Sequence, residues 1–191
     1  MNIISPYKNV EQYTRVEILP SQLNSDIVNH MKFNLKKDKE KKCNKNGYID
    51  EIYAITQYSD GIMTPENLSG KVIYNVTFSC KMCLPIENSI IIGQVRMINQ
   101  ELIFAINGPI MIFIPRDKID QTNWILSENY IHKTKKDTKL KIDDFICIQI
   151  INKRINKNDD QIKIIGKLLD FATEEQVTKF FGSQIIEDNY I

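Results

Sequence analysis

After Ser89 the chain breaks into five short segments dense in isoleucine: SIIIGQVRMINQ, ELIFAING, IMIFIPRDKI, DDFICIQIINKRI and QIKIIGKLLDF. Each has the length of a strand and is too short for a core helix. Turn residues divide them at Asn99-Gln100, Asn107-Gly108-Pro109 and NKNDD, and one long polar connection precedes the fourth segment. Five short strands with one long crossing before the fourth fit a small OB-type barrel, which closes on itself and leaves few edges. The long connection, DQTNWILSENYIHKTKKDTKLKI, carries the only tryptophan, Trp124. It is expected to cap the barrel as a helical turn or a loop.

The first half has a different texture. Residues Thr14 to Leu19 alternate and stop at Pro20, which predicts a strand. Leu23, Ile27, Met31 and Leu35 then recur every fourth residue and predict one apolar helical stripe, capped by Ser21 or Asn24. Lysines crowd the end of that helix, where the dipole favours cations, so KKDKEKK reads as its solvated tail. GYIDEIYAIT predicts a second strand, SDGIMTPENLSG a loop, and KVIYNVTFSCKMC a third strand with one apolar face. The last stretch offers an acidic-start helix around Glu174 to Phe181. Its Phe180-Phe181 pair needs a cover, from this chain or from a partner. The class is α+β: a helix on an antiparallel sheet over 1–86, a five-stranded barrel over 87–171, and a C-terminal tail over 172–191.

Cys80-x-x-Cys83 raises metal and redox chemistry. A structural zinc needs four ligands, and the remaining candidates, Cys43, Cys147, His30 and His132, stand singly and far apart. A redox pair opens a helix after a strand, whereas this one ends a strand and runs into Leu84-Pro85. The pair reads as two half-buried thiols; no metal and no cofactor is expected. There is no Gly-rich phosphate loop, and two histidines in dissimilar segments do not assemble an acid–base site. An enzyme is not expected. The net charge of +1 over 191 residues excludes a uniformly basic coat but allows a local patch. No apolar run spans a membrane and the N-terminus lacks the pattern of a signal peptide, so no membrane partner is expected.

VEILPSQL, the helix after it, KCNKNGYIDEI, GIMTPENLSGKVIYNVTFSCKMCLP, GQV, NGPIMIFIPRDKI and IIGKLLD follow one another in a telling order and spacing. Over residues 14–172 the chain resembles the stalk subunit of DNA-directed RNA polymerase. That is the seventh subunit of eukaryotic polymerase II and its counterpart in the archaeal enzyme. The resemblance implies a non-catalytic subunit whose first domain, the tip, docks on the polymerase core and whose OB-fold faces nascent single-stranded RNA. It also implies a small helical partner, the counterpart of the fourth subunit, and no metal site at Cys80 and Cys83.

In the tip, Ile62, Met63 and Pro65 are the residues expected to touch the core. In the barrel, Arg96, Arg116, Lys118, Lys153 and Arg154 are the candidates for RNA phosphates. RNA-binding barrels of this kind carry an aromatic and a histidine on their second and third strands. Lined up on Gly108-Pro109, those positions fall on Ile103 and Pro115, which implies weak binding without base stacking. A free-standing RNA-binding or translation factor would share the barrel but not need the tip. Heavy use of isoleucine, asparagine and lysine suggests an A+T-rich genome, either a large DNA virus or a protist. The expected location is the host cytoplasm or the virion for a virus and the nucleus for a protist.

Overall fold

The computed structural model describes residues 3–63, 69–119, 121–126, 130–133 and 139–187. The first unit contains β1 (Tyr7–Ile18), α1 (Ile27–Lys39), β2 (Lys42–Cys43), β3 (Tyr48–Tyr58) and β4 (Val72–Cys83). Its strands lie in the order β1-β4-β3-β2, antiparallel throughout. Met31 and Leu35 of α1 are buried in a cluster with Val16, Ile52, Val76 and Phe78 from one face of the sheet.

Two boundaries differ from the sequence reading. β1 starts at Tyr7, well before Thr14, because an unbroken register with β4 runs from Tyr7↔Cys83 to Ile18↔Val72. Only Val10 in its first half packs on the helix side, so alternation alone gave no signal there. The helix begins at Ile27, not near Leu23, which ends a short 3₁₀ turn and is exposed. Neither Ser21 nor Asn24 caps α1. Asp26 holds the N-cap position, and the Asn24 side chain accepts the Asp26 N–H at 2.9 Å.

The cysteines are fully buried, not half-buried. A spacing of three on a strand puts two side chains on opposite faces. Cys80 accordingly joins the core under α1, while Cys83 joins Cys43 and Tyr48 in the second core. Two thiols on opposite sides of one sheet cannot clip one ion between them.

The second unit contains β5 (Ile90–Ile98), β6 (Leu102–Asn107), β7 (Ile110–Pro115), β8 (Trp124–Leu126), β9 (Tyr130–His132), β10 (Phe145–Arg154), β11 (Ile162–Phe171) and α2 (Glu174–Glu187). The five expected strands form a closed barrel in the order β10-β11-β7-β6-β5, with β7 and β11 parallel and β5 closing on β10. Ile103, Ile112, Ile114, Ile148 and Ile164 fill its interior.

The long connection contains a β8–β9 hairpin after a 3₁₀ turn at Arg116–Lys118, where a helical turn or loop was expected. Its Trp124 is buried. The ring centroid lies 5.0 Å from Phe171 and 5.1 Å from His132, and Nε1–H donates to the Leu169 carbonyl at 3.1 Å. His132 Nε2 lies 3.0 Å from Asp170 Oδ1. The segment expected as a tail continues as α2. The Gln176 N–H donates to Thr173 Oγ1, and the Thr173 N–H donates to Gln176 Oε1, a reciprocal cap. Phe180 is buried in the barrel core and Phe181 meets Phe145 edge-on at 5.8 Å, so this chain supplies their cover.

The two units are tied together. The Cys43 N–H donates to the Asp159 carbonyl (2.7 Å) and the Asn158 N–H to the Cys43 carbonyl (2.8 Å). The Ile4 N–H donates to the Ile90 carbonyl (3.1 Å), and the Lys153 ammonium donates to the Pro85 carbonyl (2.9 Å). The Gly108 turn adopts φ +51° under the Tyr7 hydroxyl; a Cβ there would lie 2.5 Å from that oxygen.

Candidate nucleic-acid interface

On a barrel strand alternate side chains point inward. Ile103 and Ala105 of β6 face the interior, so Phe104 between them faces out. It pairs in register with Phe113 on β7, ring centroids 5.3 Å apart and planes tilted by 42°. Met97 sits opposite Phe104, and Ile165 opposite Phe113. An apolar row, Met97-Phe104-Phe113-Ile165, therefore crosses four strands on the outside of the barrel. The expectation of an aromatic position at Ile103 was one residue out of step: a one-residue slip exchanges the two faces of a strand. Ile103 is 0 % exposed and cannot meet a base.

A groove of 410 Å³ runs beside this row. Phe113, Pro115 and Ile165 form its apolar wall, and Lys153, Arg154 and Lys163 bring cations to it. Two of the five expected cations, Lys153 and Arg154, are thus brought together here. The Arg154 Nε–H donates to Asn156 Oδ1 at 3.3 Å, and Lys153 is tied to Pro85. Arg116 directly follows Pro115, and its Nη1 donates to the Gln100 carbonyl at 3.3 Å. Arg96 and Lys118 do not join the groove. Arg96 is paired with Asp143 at 3.0 Å and Lys118 with Asp117 at 3.3 Å.

Lys163, Phe104 and Phe113 were missed from the sequence. Strict alternation along ELIFAING and IMIFIP could have found the two phenylalanines. Lys163 needed the pairing of β10 with β11, which sets Arg154 directly opposite Lys163. Like charges facing each other across a ladder are destabilising unless an anion lies between them. The groove thus sets the half-buried Phe113 ring, with Phe104 packed beside it, next to three cations, a combination able to take a base and a phosphate.

In the tip, Ile62 and Met63 are 54 % and 58 % exposed. They sit on a fixed stem: the Ile62 N–H donates to the Ile73 carbonyl and the reverse, both at 2.9 Å. Pro65 lies outside the described residues.

The buried thiols do not offer an alternative site. Burial pushes Cys80 up to about 11. Burial, with the Asp159 and Asp160 carboxylates adding to it, pushes Cys43 up to about 11. Burial raises Cys83 further still, with Asp50 and Cys43 contributing. All three are thiols near neutral pH, whereas metal ligation and nucleophilic attack need the thiolate.

No family model matches the chain. A protein of Acanthamoeba polyphaga mimivirus named as DNA-directed RNA polymerase subunit L376 is 31% identical to it over 182 residues, 95% of this chain and 92% of the relative. DNA-directed RNA polymerase II subunit RPB7 of Glycine max is 24% identical over 158 residues, 81% of this chain and 88% of the relative.

Proposed function

Because this chain belongs to the RPB7-type family of DNA-directed RNA polymerase subunits, which are non-catalytic, we propose that it is the stalk of its polymerase, holding the core with one unit and nascent RNA with the other. The domain limits proposed for these roles are 1–86 for the tip, 87–171 for the barrel and 172–191 for the C-terminal segment. Ile62, Met63 and Pro65 are the proposed core contact, supported by two exposed apolar side chains on a hydrogen-bonded stem. A small helical partner would pack across both units, with Phe33 and Val28 of α1 exposed on the tip side. The viral relative supports transcription in the host cytoplasm or the virion.

The observation that carries the RNA reading is the facing pair Arg154 and Lys163 beside the Phe104–Phe113 rings. A strand of RNA placed along the groove neutralises the two cations with a phosphate and lays a base on the aromatic row. Arg116 then serves the strand at the Pro115 end, while Arg96 and Lys118 remain at the periphery.

The complex is tested by mixing the purified protein with the polymerase core of its own system, purified without a stalk. A stoichiometric complex on a sizing column is expected, and Ile62→Asp with Met63→Asp should abolish it. Tight RNA binding with no complex would replace the stalk by a free-standing RNA-binding factor. For the groove, Phe104→Ala with Phe113→Ala is expected to weaken single-stranded RNA binding by about tenfold or more, since stacking is worth about 1–3 kcal/mol per base. Unchanged affinity in a double variant that melts like the parent would remove the groove from the RNA path.

A further inference from the structure

A second cleft, of 490 Å³, opens where the tip meets the barrel. Four lysines line it: Lys39 and Lys42 from the end of α1 and β2, Lys45 from the β2–β3 turn, and Lys157 from the β10–β11 turn. Asp38 is the one carboxylate among the described lining residues. It is paired with Lys39 at 2.8 Å. The Lys42 ammonium donates to the Asp38 carbonyl at 3.0 Å and so closes the C-terminal end of α1. Lys45 and Lys157 have no hydrogen bond or ion pair to any described residue. They approach from two different units; the carboxylates on the Lys157 turn are Asp159, which accepts from the Asn156 amide at 2.8 Å, and Asp160, and neither pairs with these two lysines.

The position of the cleft is fixed by backbone. The β10–β11 turn is held to β2 through the two Cys43 hydrogen bonds, and Asn158 beside Lys157 takes φ +69° to make the turn. On the tip side, the Asn44 side chain accepts the N–H groups of Asn46 and Gly47 at 2.8 and 3.0 Å, which fixes the turn that carries Lys45. A site made of anchored turns loses little freedom when a ligand enters. The same turn links the cleft to the groove. Arg154 and Lys163 are the last paired residues before the β10–β11 turn, and Lys157 lies within it.

We propose that the RNA path continues from the barrel groove over the β10–β11 turn into this cleft, where Lys45 and Lys157 take phosphates of the same single strand. This rests on the RNA reading of the groove and adds the tip to the path. Recognition here is by charge and carries no base preference. It requires an RNA long enough to reach past the barrel.

The test measures binding of two oligonucleotides, one of about five nucleotides, near the smallest site of one OB barrel, and one of about twenty. The variant Lys45→Ala with Lys157→Ala is expected to bind the short RNA like the parent and the long RNA about tenfold less tightly. Its salt dependence on the long RNA should fall by about 1.4 in log–log slope, because each lost contact to a single strand is worth about 0.7. Lys45→Arg with Lys157→Arg should bind like the parent. If the alanine variant binds the long RNA normally while Phe104→Ala with Phe113→Ala weakens it, the cleft is not on the path and the groove stands. If neither variant changes binding, both are overturned. The lysines are exposed, so a melting curve equal to the parent's is expected; a lower one moves the measurement to the Arg variant paired with Lys→Gln.

Discussion

Replacing Gly166 with valine will destabilise the barrel. Gly166 sits on β11 opposite Ile150, where the strand passes close over the interior. A Cβ at that position would lie well inside contact distance of the Ile148 Cγ2 methyl and 3.3 Å from Ile112 Cγ2. Ile148 is branched next to its backbone and 0 % exposed, so it cannot swing aside. Valine adds two further methyls to a space already filled. Over-packing of this kind costs about 3 kcal/mol at the upper end of its usual range. For a chain of this size that is a melting temperature lower by roughly 6–12 °C. Trp124 is the natural probe, because it is the only tryptophan and is packed against the barrel strand that Gly166 belongs to. Gly182 gives the opposite result. Nothing lies within 4 Å of a Cβ built there, and an alanine in a helix is worth about 0.8–1 kcal/mol over glycine. Gly166→Val melting with the parent would mean the barrel interior is not packed as described.

Stability will fall steeply between pH 9 and pH 11. Cys43 and Cys80 are held up to about 11 by burial, against an ordinary thiol value of 9.0. The sign follows from proton counting: above the unfolded value the unfolded chain has released a proton that the folded chain still binds, so rising pH favours unfolding. The loss begins as pH passes the unfolded value and is complete at the folded one. A fully shielded thiol contributes about 1.4 kcal/mol per pH unit. Taking half of that as realised leaves roughly 3 kcal/mol for the two thiols across the interval. Cys83 adds to the effect in the same direction. Melts followed by Trp124 fluorescence at several pH values should show the slope, and Cys43→Ala with Cys80→Ala should make it shallower, leaving the part due to Cys83. A maleimide should leave the native thiols alone and react once the chain unfolds. An equal slope in the double variant would mean other groups cause the loss.

The barrel was legible because its signal is local. Each of the five segments after Ser89 shows a period of two or a short apolar run within itself, and turn residues mark their ends. The strand at Val72–Cys83 was legible for the same reason. The likeness to the polymerase stalk subunit rested on the order of several weak motifs, and the match to the viral relative along 95% of the chain bears it out.

What tertiary structure decided are matters of register and of which units meet. β1 extends to Tyr7 because β4 offers a partner for every residue, although half of β1 carries no apolar pattern. The hairpin of Trp124 exists because the barrel end gives its indole an acceptor at Leu169. Cys80 and Cys83 look like a pair in the sequence and end in two different cores, since a strand turns neighbours three apart to opposite faces. Arg154 faces Lys163 only once β10 and β11 have paired in their particular register, and Lys45 shares a cleft with Lys157 only once the two units have met. Periodicity within a segment reports which side chains share its face. It cannot report what the face lies against, because that is fixed by hydrogen bonds and packing between residues far apart in the chain.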